Sequence, residues 1–78
     1  MKRPTAAPER PALSPVERRV ALGLAECLTV REISDRLSVN FETVRAVIKR
    51  LRDKTGRRRK AALALWAAAN ARWLKETT

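Results

Sequence analysis

The sequence predicts an all-α domain of four helices, two of them joined by a tight turn, and three observations carry that prediction. Two capping boxes, Ser14-Pro15-Val16-Glu17 and Thr29-Val30-Arg31-Glu32, each open a run of apolar residues at helical spacing. The segment Arg31 to Leu51, REISDRLSVNFETVRAVIKRL, reads as a short helix, a turn and a second, basic helix. The chain beyond Arg58 is rich in alanine, the strongest helix former, and nothing in the sequence calls for a strand.

Taken in order, residues 1–12 read as a disordered, basic, proline-rich tail. Pro4, Pro8 and Pro11 block helix and sheet, with Lys2, Arg3 and Arg10 between them. A basic arm of this kind can also touch phosphate or enter a minor groove. The folded domain is expected over 13–78. Ser14 caps the first helix, and Pro15 falls at its first position, where a missing amide hydrogen costs nothing. Leu13, Val20, Leu24 and Leu28, with Ala21 and Ala25, form its apolar stripe, which predicts a helix to about Leu28. Thr29 caps the second helix, which turns Ile33 and Leu37 inward and ends near Leu37. Ser38-Val39-Asn40 is the turn, with Val39 as its apolar plug and Asn40 as the next cap. The third helix is expected over about 41–55. It buries Val44, Val47, Ile48 and Leu51, and it is closed by Gly56, which accepts the left-handed conformation. An extended C-terminal helix is expected from about Arg58 to Lys75, with Leu63, Trp66, Asn70 and Trp73 close to one line.

Composition bounds the function. The chain has 78 residues, room for one small domain whose thin stability margin dimerisation would widen. Its 18 Lys and Arg against 8 Asp and Glu give a net charge of +10. Most of the surplus lies in residues 45–60, where Arg45, Lys49, Arg50, Arg52, Lys54, Arg57, Arg58, Arg59 and Lys60 face Asp53 alone. So dense a field attracts a polyanion, nucleic acid above all. Cys27 is the only cysteine and there is no histidine, which leaves no internal disulfide and no metal or structural zinc site. No cofactor motif and no catalytic constellation are found, so an enzyme is not expected. The longest apolar run, Ala61 to Ala69, is far short of the roughly 20 residues that span a bilayer. No secretory signal follows the basic start, and a cytoplasmic, nucleoid-associated protein is expected.

The residue types then suggest roles. Arg45 and Lys49 lie four apart on the outside of the third helix, where each can donate to guanine O6 and N7, and Ala46 between them can touch a thymine methyl. Arg31, Asn40, Thr43 and Arg50 are candidates for DNA phosphate, the first from the helix that crosses the backbone and Asn40 and Thr43 from a helix start that favours anions. Arg57, Arg58, Arg59 and Lys60 crowd the positive end of the last helix, where each cation is unfavourable by ~0.3–1 kcal/mol. A phosphate backbone would compensate them. Arg18 and Arg19 read as plain surface, Glu17 as a cap, and Cys27 as a small buried or half-buried residue. Leu63, Trp66, Asn70 and Trp73 are read as a dimer interface, because so small a monomer is not expected to bury both tryptophans. The 57–78 segment would then be a basic stretch followed by a dimerisation helix.

Over Leu13 to Leu65 the chain resembles the DNA-binding domain of the LuxR and GerE type, found in bacterial transcription regulators. The resemblance rests on Ser14-Pro15 with Glu17, on Glu32-Ile33, on Thr43-Val44-Arg45, and on Lys54 and Gly56 after the third helix. It covers about two thirds of the chain. It implies a four-helix domain with helices two and three as the helix-turn-helix, base reading by Arg45, Ala46 and Lys49, and a homodimer through the last helix. Two positions depart from the pattern: Cys27 stands where the family commonly has glycine, and Val47 where it commonly has histidine. The family's usual sensor or receiver domain has no counterpart in this sequence, as in stand-alone GerE-like regulators. The expected function is transcription regulation by sequence-specific DNA binding as a homodimer. The alternative is a protein-interaction adaptor, or a module like a sigma-factor region, docking on another regulator or on RNA polymerase.

Overall fold

A computed structural model describes residues 11–76, all of whose regular structure is helical. The helices are α1 (Pro15–Ala25), α2 (Val30–Leu37), α3 (Phe41–Thr55), α4 (Lys60–Ala69) and α5 (Ala71–Glu76). The predicted tail lies outside the described residues except at its end. There Pro11 is buried and the Ala12 carbonyl accepts a hydrogen bond from Lys54 Nζ at 3.0 Å.

Both capping boxes form. Ser14 Oγ accepts from the Glu17 amide while Glu17 Oε1 accepts from the Ser14 amide, and Thr29 and Glu32 repeat the exchange. α2 and α3 run over the residues expected of them, and Asn40 Oδ1 caps α3 by accepting from the Glu42 amide at 2.7 Å. Gly56 closes α3 with a φ of 74°.

α1 ends three residues earlier than its apolar stripe predicts. The Cys27 amide donates to the Leu24 carbonyl and the Leu28 amide to the Gly23 carbonyl, the paired bonds that close a helix around a left-handed residue. That residue is Cys27, with φ 62°; the closure leaves it exposed rather than buried or half-buried as expected, and Leu28 folds back against the core from outside the helix. α2 ends in the same way, with Ser38 at φ 56° and with bonds from Ser38 to Asp35 and from Val39 to Ser34. Neither residue has glycine's freedom. Cys27→Gly and Ser38→Gly are each expected to stabilise the domain by about 1 kcal/mol, since a side chain in this conformation costs about that much. Thermal melts of the two variants check this, and an unchanged or lowered midpoint in both would contradict the helix closures.

The extended last helix is a second difference. It starts at Lys60 and is interrupted at Asn70, whose side-chain amide donates to the Trp66 carbonyl at 2.9 Å. A side chain bonded back onto the preceding turn bends a helix. The bend brings the short α5 onto α1. α1 is therefore the central helix, packed against each of the other four.

Val20, Ala21 and Leu24 of α1 meet Ile33 of α2, then Val44, Val47, Ile48 and Leu51 of α3, and then Leu63, Trp66, Ala67 and Leu74 from the C-terminal pair. Gly23 permits the close approach of α1 to α2: a Cβ there would stand 2.8 Å from Ile33 Cγ1.

One tryptophan is buried within the chain and the other is half-buried, and this packing bears on the expected dimer interface. Leu63 is fully buried, Trp66 is 3% exposed and Asn70 is 8% exposed within one chain. Trp73 is half-buried, edge-on to Trp66 at 6.4 Å between ring centres, and carries the Arg18 guanidinium 4.6 Å over its ring. The bend at Asn70 makes this possible, because it folds the second tryptophan back over the first. Leu63, Trp66 and Asn70, assigned to a dimer interface, lie instead on the inner face of the C-terminal pair, with Trp73 packed at its edge.

Candidate nucleic-acid interface

The recognition candidates sit where a helix's geometry must put them. Val44, Val47, Ile48 and Leu51 turn one side of α3 into the core, so Arg45, Ala46 and Lys49 are left on the outside, and all three are exposed. They line one open cleft of about 500 Å³ with Glu42, Arg52 and, from the first turn of α4, Lys60. Val30 and Ile48 add its apolar lining. A second cleft, of about 450 Å³, is lined by Lys49, Arg52, Asp53, Gly56 and Arg58. Lys49 and Arg52 belong to both clefts, so the basic surface continues from mid-α3 to the α3–α4 loop.

The phosphate candidates divide. Thr43, Arg58, Arg59 and Lys60 are exposed, and α4 starts with no side-chain cap on its first turn and no acid there. Its cations thus stand against an uncompensated helix end. Arg31 is exposed on the first turn of α2, with its guanidinium 5.8 Å from the Phe41 ring centre. Asn40 is exposed, but its carbonyl oxygen is engaged with the Glu42 amide.

Two candidates are drawn away from the open face. Arg57 is half-buried. Its amide donates to Thr55 Oγ1 and its guanidinium to the Thr55 carbonyl at 2.9 Å, so it caps the negative end of α3. Arg50 lies on the other flank of α3, where its Nε is 3.5 Å from Glu17 Oε2.

Glu17 is more than a cap. Its carboxylate is buried, and Oε1 accepts from Lys54 Nζ at 2.8 Å as well as from the Ser14 amide. Burial pushes its pKa up, but the Lys54 hydrogen bond and charge, the Ser14 amide and the Arg50 charge outweigh that. The carboxyl therefore titrates below the ordinary glutamate value.

Sequence reasoning missed this centre, because Glu17 and Lys54 are 37 residues apart and each had a sufficient local explanation. It also missed Arg52, although Arg45, Lys49 and Arg52 repeat at helical spacing on one side of α3. Arg18, read as plain surface, holds α1 to α5 through Trp73.

The described residues contain no group of three side chains suited to hold a metal ion, and no helix long and apolar enough to cross a membrane. Comparison with protein-family models, with curated proteins and with solved structures gives no match for this chain.

Proposed function

We propose that this chain is a sequence-specific double-stranded DNA-binding transcription regulator of the LuxR/GerE helix-turn-helix kind, acting as a homodimer in the cytoplasm on the nucleoid. The observation that carries the reading is the outer face of α3. It is a 15-residue helix held from beneath by four core residues, and it presents Arg45, Ala46 and Lys49 on one open, cation-lined cleft. A helix of this kind fits the major groove, where arginine and lysine donate to guanine and a methyl group meets thymine. Arg58, Arg59 and Lys60, just beyond its end, supply positive charge for the flanking phosphates. The reading gives the chain no catalytic residue, metal or cofactor.

The dimer is assigned to a new surface. With Trp66 and its neighbours buried, the outer side of α4 presents Ala61, Leu65, Ala68 and Ala69, and Leu65 is 72% exposed. A two-fold pairing of α4 across Leu65 would cover this stripe. The same stripe would serve the alternative reading, an adaptor docking on another regulator or on RNA polymerase.

The test is selection of duplexes from a random pool, followed by binding measurements on the selected and scrambled sequences. Arg45→Ala is expected to cost about 1–3 kcal/mol on the selected duplex and to flatten discrimination at one base pair. Intact discrimination in that variant would remove α3 as the reading helix. Failure of the wild-type chain to enrich any sequence, with no affinity for duplex at low salt, would favour the adaptor.

A further inference from the structure

From the cleft between α3 and α4 we infer a specific phosphate seat, built by Arg52 and Lys60, that takes one phosphodiester of the DNA strand beside the bases met by α3. The inference rests on the DNA-binding reading and adds to it a site that the sequence did not reveal. Three observations meet at this place. Arg52 Nε is withdrawn from solvent and has no hydrogen-bond partner among the described residues. Arg52 is half-buried between two open clefts, so its stem is held at the buried Nε while an acceptor can reach the terminal nitrogens of its guanidinium from outside.

Second, Lys60 lines the same cleft from the first turn of α4, so two chain segments converge there with like charge. Only Glu42, one helical turn beyond Arg45, brings a negative charge to that cleft. Third, α4 begins without a side-chain cap or an acid in its first turn, which adds the positive end of a helix to the surroundings of Lys60. Other cations of this chain already have partners: Lys54 and Arg50 hold Glu17, Arg36 holds Glu26 and Arg57 caps α3.

The chemistry selects the ligand. The two terminal nitrogens of a guanidinium form a planar fork, which matches two oxygens of one phosphate, and an ammonium beside it adds a point charge. The ligand is therefore a tetrahedral oxyanion with at least two free oxygens, and the backbone of a duplex lying on α3 supplies one. Free inorganic phosphate has the same chemistry, and the test separates the two.

Wild type, Arg52→Lys, Arg52→Met and Lys60→Met are titrated with the selected duplex, with scrambled duplex and with inorganic phosphate, across salt. Circular dichroism melts establish that each variant is folded. Arg52→Lys keeps the charge but loses the fork of terminal nitrogens. It is expected to weaken selected and scrambled duplex alike by about tenfold, with base preference and salt slope retained. Lys60→Met is expected to make the salt slope shallower by about one. A duplex carrying a neutral methylphosphonate at the seated position should bind wild type more weakly than the unmodified duplex but bind Arg52→Met no differently.

If wild type binds its selected duplex and folded Arg52→Lys binds it equally well, the seat is overturned while the DNA-binding reading stands. Loss of base preference in Arg52→Lys would make it a base contact and would equally overturn the seat. If inorganic phosphate stabilises wild type but not Arg52→Met, while duplex affinity is the same in both, the site serves the free ion and the assignment to DNA is wrong. Absence of any duplex binding by wild type would instead sink the underlying reading.

Discussion

Replacing Lys54 with methionine is expected to destabilise the domain by about 2 kcal/mol, lowering its melting temperature by roughly 10 °C. The reason lies in the partner left behind. Glu17 is 4% exposed, and its Oε1 receives both Lys54 Nζ and the Ser14 amide. Without Lys54 the buried carboxylate keeps only the Ser14 amide and the longer Arg50 contact at 3.5 Å. Breaking a fully buried ion pair from one side costs ~3–5 kcal/mol. The lower figure applies here because the Lys54 side chain is 37% exposed and Arg50 remains.

The same contacts fix a pH dependence and its sign. Glu17 titrates below its ordinary value of 4.5 in the folded chain, so at acid pH the unfolded chain binds the proton first. The stability this contributes is complete above about 4.5 and is lost as pH falls through the lower, folded value. Glu17→Gln should therefore lose stability at neutral pH and show a flatter acid limb than wild type. The double variant Glu17→Gln, Lys54→Met should lose less than the two single losses added. Denaturant melts between pH 3 and 7 check all three statements, and an acid limb in Glu17→Gln as steep as that of wild type would remove Glu17 as its source.

How much of this was legible in the sequence follows from the range of each interaction. The capping boxes, the Asn40 cap and the Gly56 stop are contacts within four residues, and their signals are written in nearly consecutive letters. That is why α2 and α3, and with them the exposed placing of Arg45, Ala46 and Lys49, came out as expected. The end of α1 was misread because its apolar period continues to Leu28, while the helix stops at a left-handed cysteine that no pattern of hydrophobicity marks. The C-terminal helix was misread because Asn70 fits a helix by spacing and bends it by a hydrogen bond. Everything that depended on the bend went with it: the burial of Trp66, the seat of Trp73 on Arg18, and the choice of dimer face. The charges of Lys54, Arg50 and Arg57 were counted from the sequence as available to DNA, but Lys54 and Arg50 pair with Glu17 across the fold and Arg57 bonds back to the end of α3.

The bend at Asn70 also separates two substitutions only one residue apart, and their contrast carries the largest effect expected in this chain. Trp66→Ala empties a site that is 3% exposed, beside Leu63, Ala67 and the Trp73 ring, and truncation of a buried aromatic costs ~3–5 kcal/mol. A domain this small has a margin of about the same size, so the variant is expected to be largely unfolded at 37 °C. That loss should not depend on protein concentration, because the contacts removed lie within one chain. Leu65→Lys, by contrast, changes a side chain that is 72% exposed and should move monomer stability by no more than about 0.5 kcal/mol. Its effect falls on association. A stripe of alanines around one leucine is a modest surface, so the free dimer is expected to be weak, and two copies held on adjacent half-sites gain most of their contact energy through high effective concentration. On a duplex with two half-sites, wild type should bind with a Hill slope near two and Leu65→Lys near one, while their affinity for a single half-site stays equal. A folded Trp66→Ala with a wild-type melting temperature would contradict its place in the core. Undiminished cooperativity in Leu65→Lys would move the contact between copies off the outer face of α4.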